Sequence, residues 1–328
     1  MLSRVADSIY WMSRYIERAE NVARFIDVNL HLMLDLPTGS NQQWRPLVDT
    51  TGDHEEFERR LGEATQANVI QFLTLDPDNP NSILSCLRAA RENARSVREI
   101  ISSEMWEQIN KFYLMVTSAV TNPDVLADPH EFFSNVRMSS HLFVGVTEGT
   151  MTHGEGWHFA RLGRMLERAD KTSRILDVKY YILLPTVAHV GTTFDDLQWA
   201  AVLRSASAFE MYRKTHGRID PRRIVEFLLL NPEFPRAIHY CLIASRESVH
   251  AITGTPTGLF QNPAEQLLAQ LCADLAYAQV DEIVNAGLHE YLDGLQTNMN
   301  LVGARVAETF FAAKMSPPSA KKRKAVRV

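Results

Sequence analysis

The sequence predicts an all-α fold, a helical bundle built from two tandem, similar halves. Three observations carry that expectation. Apolar residues recur at helical spacing: Met12, Tyr15, Ile16, Ala19, Val22, Ala23, Ile26, Leu30 and Met33 fall between roughly 80° and 200° on a wheel advancing about 100° per residue from Arg14. Prolines bound these stretches, and no run alternates apolar and polar residues as a half-buried strand does. Two blocks also return in the same order. RYIERAENVARFIDV (Arg14–Val28) recurs 150 residues on as RMLERADKTSRILDV (Arg164–Val178), and FLTLDPDNPNSILSCLRAARE (Phe72–Glu92) recurs 155 residues on as FLLLNPEFPRAIHYCLIASRE (Phe227–Glu247). Collinear blocks with one small shift are what a tandem duplication followed by a short loop change produces. The expected units are 1–150, 151–314 packed with it as one body, and a basic disordered tail, 315–328.

The elements follow in order. A first helix runs from about Ser3 to Leu36 and stops at Pro37. A second follows Trp44, and DHEEFERR (Asp53–Arg60) starts a helix with acids near its positive end. LDPDNPNS is a turn, since each proline bars helix in the residue before it. Ser82 or Asn81 caps the next helix, which carries Arg91-Glu92. Helices are expected over 104–121 and 129–150. The glycine-rich MTHGEGWHFARLG (Met151–Gly163) joins the halves and is read as a linker and helix start, or a lip over a cavity. The copy of the first helix spans about 157–184 and stops at Pro185; another follows Trp199. LNPEFPRA is the second turn and leads into the helix with Arg246-Glu247. Helices over 262–286 and 288–314 close the bundle. Trp44 and Trp199 are equivalent in the repeat and are expected between helices.

Charge sets the main question. Arg14, Glu17, Arg18, Asn21 and Arg24 lie opposite the apolar face of the first helix, yet Tyr10, Phe25, Val28 and Leu32 share that side. A helix apolar on both sides is sandwiched inside the bundle, so its charges are partly buried and must be paired. The copy repeats the pattern at Arg164, Glu167 and Arg168, and Arg91-Glu92 and Arg246-Glu247 are candidate partners. Two readings remain. The pairs form an internal ion network, or they line a polar cavity where arginines grip carboxylate or phosphate. A di-metal bundle would draw on Glu155, His158, Glu247 and His250 in EGWH and ESVH. Glu155 stands between glycines, expected ahead of the helix, and Arg95 occupies the place of His250 in the first half, so no metal is assigned.

Composition narrows the classes further. The net charge is −5 although the tail carries Lys321, Lys322, Arg323, Lys324 and Arg327, so the body is more acidic still and no nucleic-acid partner is expected. Cys86, Cys241 and Cys272 form no Cys-x-x-Cys and read as reduced core residues. No signal core or membrane-length apolar run is present, and a cytoplasmic protein is expected. There is no Gly-rich phosphate loop and no Gly-x-Ser-x-Gly, so neither a cofactor nor a nucleophile is assigned.

The residues YWMSRYIERAENVAR, LDPDNPNSILSCLRAARENARSVRE, SSEMWEQIN, GWHFARLGRMLERAD and QWAAVLRSASAFEMY resemble the bacterial alpha-E family, a helical domain named for its Glu-Arg motif. The resemblance covers residues 1–314. It implies association with circularly permuted ATP-grasp amide ligases and transglutaminase-like proteins, and a part in forming or processing a peptide or amide-linked product. It marks Glu17, Arg18, Glu167, Arg168, Arg91, Glu92, Arg246 and Glu247. The leading expectation is an accessory or catalytic subunit of such a ligase, with the Arg/Glu pairs lining a polar site. The alternatives are an interaction module braced by those pairs and the di-metal enzyme.

Overall fold

Apolar stripes on both sides of two long helices dictate the architecture. The computed structural model describes residues 1–35, 44–122, 129–181 and 193–312. Among them are fifteen α-helices, a final π-helical turn and no strand. The two longest are α1 (Ser3–Asp35) and α8 (Glu155–Tyr181). They lie side by side and parallel: Met1 meets Glu155 at one end, Glu17 meets Arg168 midway, and Phe25 and Val28 share a cavity wall with Ile175 and Val178 beyond.

Each long helix heads a four-helix group. α1 is flanked by α5 (Ile83–Ser96) and α7 (Pro129–Thr150), with α6 (Ser103–Thr121) closing the group. α8 is flanked by α12 (Ile238–Thr253) and α15 (Leu288–Val306), with α13 (Pro263–Tyr277) closing it. Short helices fill the connections: α2 (Arg45–Thr51), α3 (His54–Leu61) and α4 (Gln66–Thr74) in the first group, α9 (Thr193–Ser205), α10 (Phe209–His216), α11 (Pro221–Leu229) and α14 (Val280–Ala286) in the second. Side-chain caps fix several starts. Ser82 Oγ accepts the Ser85 amide at 3.1 Å to open α5, as expected, and Ser102 opens α6 in the same way. Ala237 stands where Ser82 would and gives α12 no such cap.

Four boundaries differ from expectation. Glu155 is the first residue of α8 rather than a residue ahead of it, so only the start of the glycine-rich segment is a turn. Trp199 lies inside α9 instead of before it. The helix expected over 262–286 breaks at Ala278 and Gln279, which are extended; the break turns Ile283 into the core. The last helix changes to a π-turn, Ala307–Phe311, which sets Phe311 against Tyr10 at 5.3 Å and Phe310 against Phe159 at 5.4 Å. The stops at Pro37 and Pro185 and the basic tail lie outside the described residues. Trp44 and Trp199 are buried.

Cys86 and Cys241 occupy matching places, each thiol directed at the carbonyl of the second turn proline, Pro80 at 3.7 Å and Pro235 at 3.6 Å. All three cysteines are free and buried. Burial pushes the Cys86 and Cys241 thiols up to about 12. A thiol-reactive dye is therefore expected to label them only when the protein unfolds; labelling at the rate of a free peptide thiol under native conditions would contradict that placement.

Candidate functional site

The expected charge ladder is real, and its partner is its own counterpart. Glu17-Arg18 on α1 faces Glu167-Arg168 on α8, and each glutamate takes the arginine of the other helix. Arg168 Nε and Nη2 donate to Glu17 Oε1 and Oε2, both at 2.8 Å. Arg18 Nε and Nη2 donate to Glu167 Oε1 and Oε2 at 2.6 and 3.1 Å. These are fork-to-fork ion pairs. Arg14 Nε adds a donor to Glu167 at 2.8 Å.

Both carboxylates lie in the interior: Glu17 is 2% exposed and Glu167 is 0%. Burial by itself raises such a carboxyl. Here Arg168 and Arg236 overcome it at Glu17, and Arg18, Arg14 and Lys171 at Glu167, so both are held well below the usual carboxylate range. The same attraction outweighs burial at Arg18 and Arg168 and raises them.

Around each clasp one more cation and one asparagine complete the set, in exchanged positions. At Glu17 the asparagine is Asn21, on the same helix, and the cation is Arg236, from the turn before α12. Arg236 Nη1 donates to Glu17 Oε1 at 3.1 Å and to Asn21 Oδ1 at 3.0 Å. At Glu167 the cation is Lys171, on the same helix, with Nζ 3.9 Å from Oε1. The asparagine is Asn81, from the turn before α5, and it accepts Arg18 Nη1 at 2.7 Å. Asn21 and Lys171 match under the 150-residue offset, and Asn81 and Arg236 match under the 155-residue offset.

A third buried acid, Glu20, accepts Arg236 Nη2 at 2.7 Å and pairs with Arg24. Burial, then Arg236 and Arg137, lower Arg24. His141 is lowered by burial and by Arg24 and Arg236. Arg24 Nε and Arg164 Nε are buried without a hydrogen-bond partner.

The other expected residues lie elsewhere. Arg91 donates to Asn110 Oδ1 at 2.8 Å and stacks near Trp106 and Tyr113, while Glu92 pairs with Arg95. Arg246 is half-buried, and Glu247 is exposed and takes Arg161 at 2.9 Å. These pairs do not join the clasps. Arg164 reaches Glu148 at 3.2 Å rather than Glu17. Glu155, His158, Glu247 and His250 are not gathered either: His250 Nδ1 is 3.0 Å from the Thr255 carbonyl, and no cluster of metal-ligating atoms among the described residues includes the four. Glu20, Arg236, Lys171 and Asn81 were not anticipated as site residues. Arg236 and Asn81 had a signal, since each follows the second proline of its turn block.

The family model for Alpha-E, described as a predicted alpha-helical domain with a conserved ER motif, matches residues 1–311. Uncharacterized proteins of Mycobacterium bovis and of two strains of Mycobacterium tuberculosis are each 24% identical over 320 residues, covering 88% of this chain and 35% of the relative. The chain thus spans about a third of the length of the curated relatives it matches. No solved structure matches it.

Proposed function

Because the chain belongs to the Alpha-E family, we infer that it is a helical module working beside a catalytic partner, with its Glu-Arg motifs as the clasp that sets the register of α1 against α8. One observation carries this reading: the motif arginines spend their forks inside the protein. Arg168 gives Nε and Nη2 to Glu17 and Nη1 to the Pro235 carbonyl at 3.3 Å, and Arg18 is engaged likewise by Glu167 and Asn81. An arginine so committed can grip a substrate only by giving up its two-pronged bond to a buried carboxylate. The partner class is an ATP-grasp amide ligase, with a transglutaminase-like protein as the second class the family resemblance implies. That the matched relatives continue well beyond the shared region is compatible with a module joined to other activities. The two halves are read as copies of one duplicated unit, which accounts for the exchanged Asn and cation positions. No helix among the described residues is long and apolar enough to cross a membrane, and three free buried cysteines fit a reducing compartment, so we place the protein in the cytoplasm.

The second reading, a polar site for an anionic group, draws on the unpartnered Nε atoms of Arg24 and Arg164. Both are tested by co-purifying the chain with an ATP-grasp amide ligase of the same organism and measuring ATP turnover with amino-acid and peptide mixtures. Under the module reading, Arg168→Gln lowers turnover only as far as it lowers the folded fraction. An Arg168→Gln protein that stays folded and bound yet supports no turnover would return the motif to a substrate-binding role.

A further inference from the structure

Toward the C-terminal end of α1, three side chains with metal-ligating atoms converge away from the clasps. Asp27 and His31 stand one turn apart on α1, and His130 enters from the first turn of α7. His130 Nδ1 is 2.8 Å from Asp27 Oδ1, and His31 Nδ1 is 3.8 Å from the same oxygen. One ligand atom of each residue lies within 4.8 Å of the others, and the two imidazole centroids are 4.1 Å apart. Donors about 2.0–2.1 Å from a tetrahedral zinc ion stand roughly 3.3 Å from one another. The two Asp27–imidazole spacings bracket that value and the third pair of ligand atoms lies within 4.8 Å, so binding would draw the two imidazoles in around Asp27.

The surroundings suit an ion. Asp27 is buried and its other oxygen is held by Arg137 Nη2 at 3.0 Å. That leaves Oδ1 aimed at the imidazoles, as an outer hydrogen-bond partner aims a metal-bound carboxylate. The rings are open to solvent, His31 at 58% and His130 at 39%, which gives an ion its entry path.

The second half of the chain isolates the role of His31. Asp177 and His289 repeat the Asp27–His130 pair at 2.6 Å, but the residue in the place of His31 is Tyr181. His31 is thus what the first site has and the second lacks: its Nδ1 is 2.9 Å from the Asp27 carbonyl and its ring lies against that of His130.

We propose that Asp27, His31 and His130 bind one divalent transition-metal ion. A carboxylate with two imidazoles suits Zn²⁺, and three protein ligands leave a coordination position open. Asp27 and His31 also line a cleft of about 700 Å³ whose wall includes Arg137 and Arg204. The ion's open position and Arg204, with Glu210 on the same wall, make the class of a ligand entering there a carboxylate or phosphate. The site is independent of the partner proposed above.

The test is calorimetric titration of the full chain with Zn²⁺ alone, with Co²⁺ absorption as a readout of coordination. One ion per chain is expected, with a tetrahedral Co²⁺ spectrum. His31→Ala, at an exposed position, should keep its circular dichroism and weaken Zn²⁺ binding more than about 100-fold, since even outer partners of a ligand cost up to that much. His289→Ala should bind as the parent does. Absence of binding at millimolar Zn²⁺, or a loss of less than about tenfold in His31→Ala, overturns the proposal.

Discussion

Glu167→Ala is expected to lose about 3–5 kcal/mol of folding stability, the usual cost of removing one partner of a buried ion pair. The site explains the size. Glu167 is wholly buried and receives Arg18 through two donors and Arg14 through another, with Lys171 close by. Without it, three cations remain in the interior around a small void. Glu247→Ala is the matching control: its pair with Arg161 is exposed at the glutamate and should be worth under about 1 kcal/mol. Urea unfolding of the three proteins measures both differences, and equal midpoints for the two variants would remove the clasp from the account of stability. The same clasp predicts a pH dependence. Glu17 and Glu167 are depressed in the folded state, so their contribution is complete above the unfolded carboxylate value of about 4.3 and is lost as pH falls below it toward their folded values. Acid should therefore weaken the parent protein more steeply than Glu167→Gln.

Gly163→Ala should be nearly as damaging, for a purely steric reason. A Cβ on Gly163 would fall inside contact distance of the Tyr10 carbonyl oxygen and 3.1 Å from its carbon. These are backbone atoms of α1 and cannot rotate aside, so the two central helices must separate, and the clasps a turn further along must stretch. Overpacking of this kind costs about 1–3 kcal/mol, and a backbone obstacle places the expected loss at the upper end or beyond. Gly145→Ala, in the middle of α7 with nothing within 4 Å, should instead gain about 0.5–1 kcal/mol from helix propensity alone. Thermal unfolding of both separates close helix approach from propensity; a stabilised Gly163→Ala would refute the close approach.

The helical class, most element positions and the burial of the ladder were legible because they rest on local pattern: helical spacing, prolines and apolar residues on both sides of α1. The partners of the ladder were not. Arg91-Glu92 and Arg246-Glu247 looked suitable because they pair opposite charges, but Cys86, Leu87, Ala90 and Ala94 take the buried side of α5 and leave Arg91 toward α6. Spacing within one helix does not say which neighbour a side chain meets. A simpler route was available: two parallel helices carrying the same Glu-Arg dipeptide complement each other when laid side by side. Gly163 gave no sign of its role, since a glycine in a glycine-rich stretch reads as a turn. The Asp27–His130 contact was hidden too, because 103 residues separate its partners.

The exchanged Asn and cation positions have a consequence for how copies of the chain treat one another. If the first half of one molecule met the first half of another, each glutamate would find Asn21 and Asn81 and lack the added cation that Arg236 or Lys171 supplies. Two second halves would bring Lys171 and Arg236 to the same carboxylate, one positive charge too many. Only a first half against a second half balances both sites, and the linked half is the nearest one available. Like halves of two molecules therefore do not satisfy the clasps together, and the second half of the same chain, present at the higher effective concentration, is the partner that balances both.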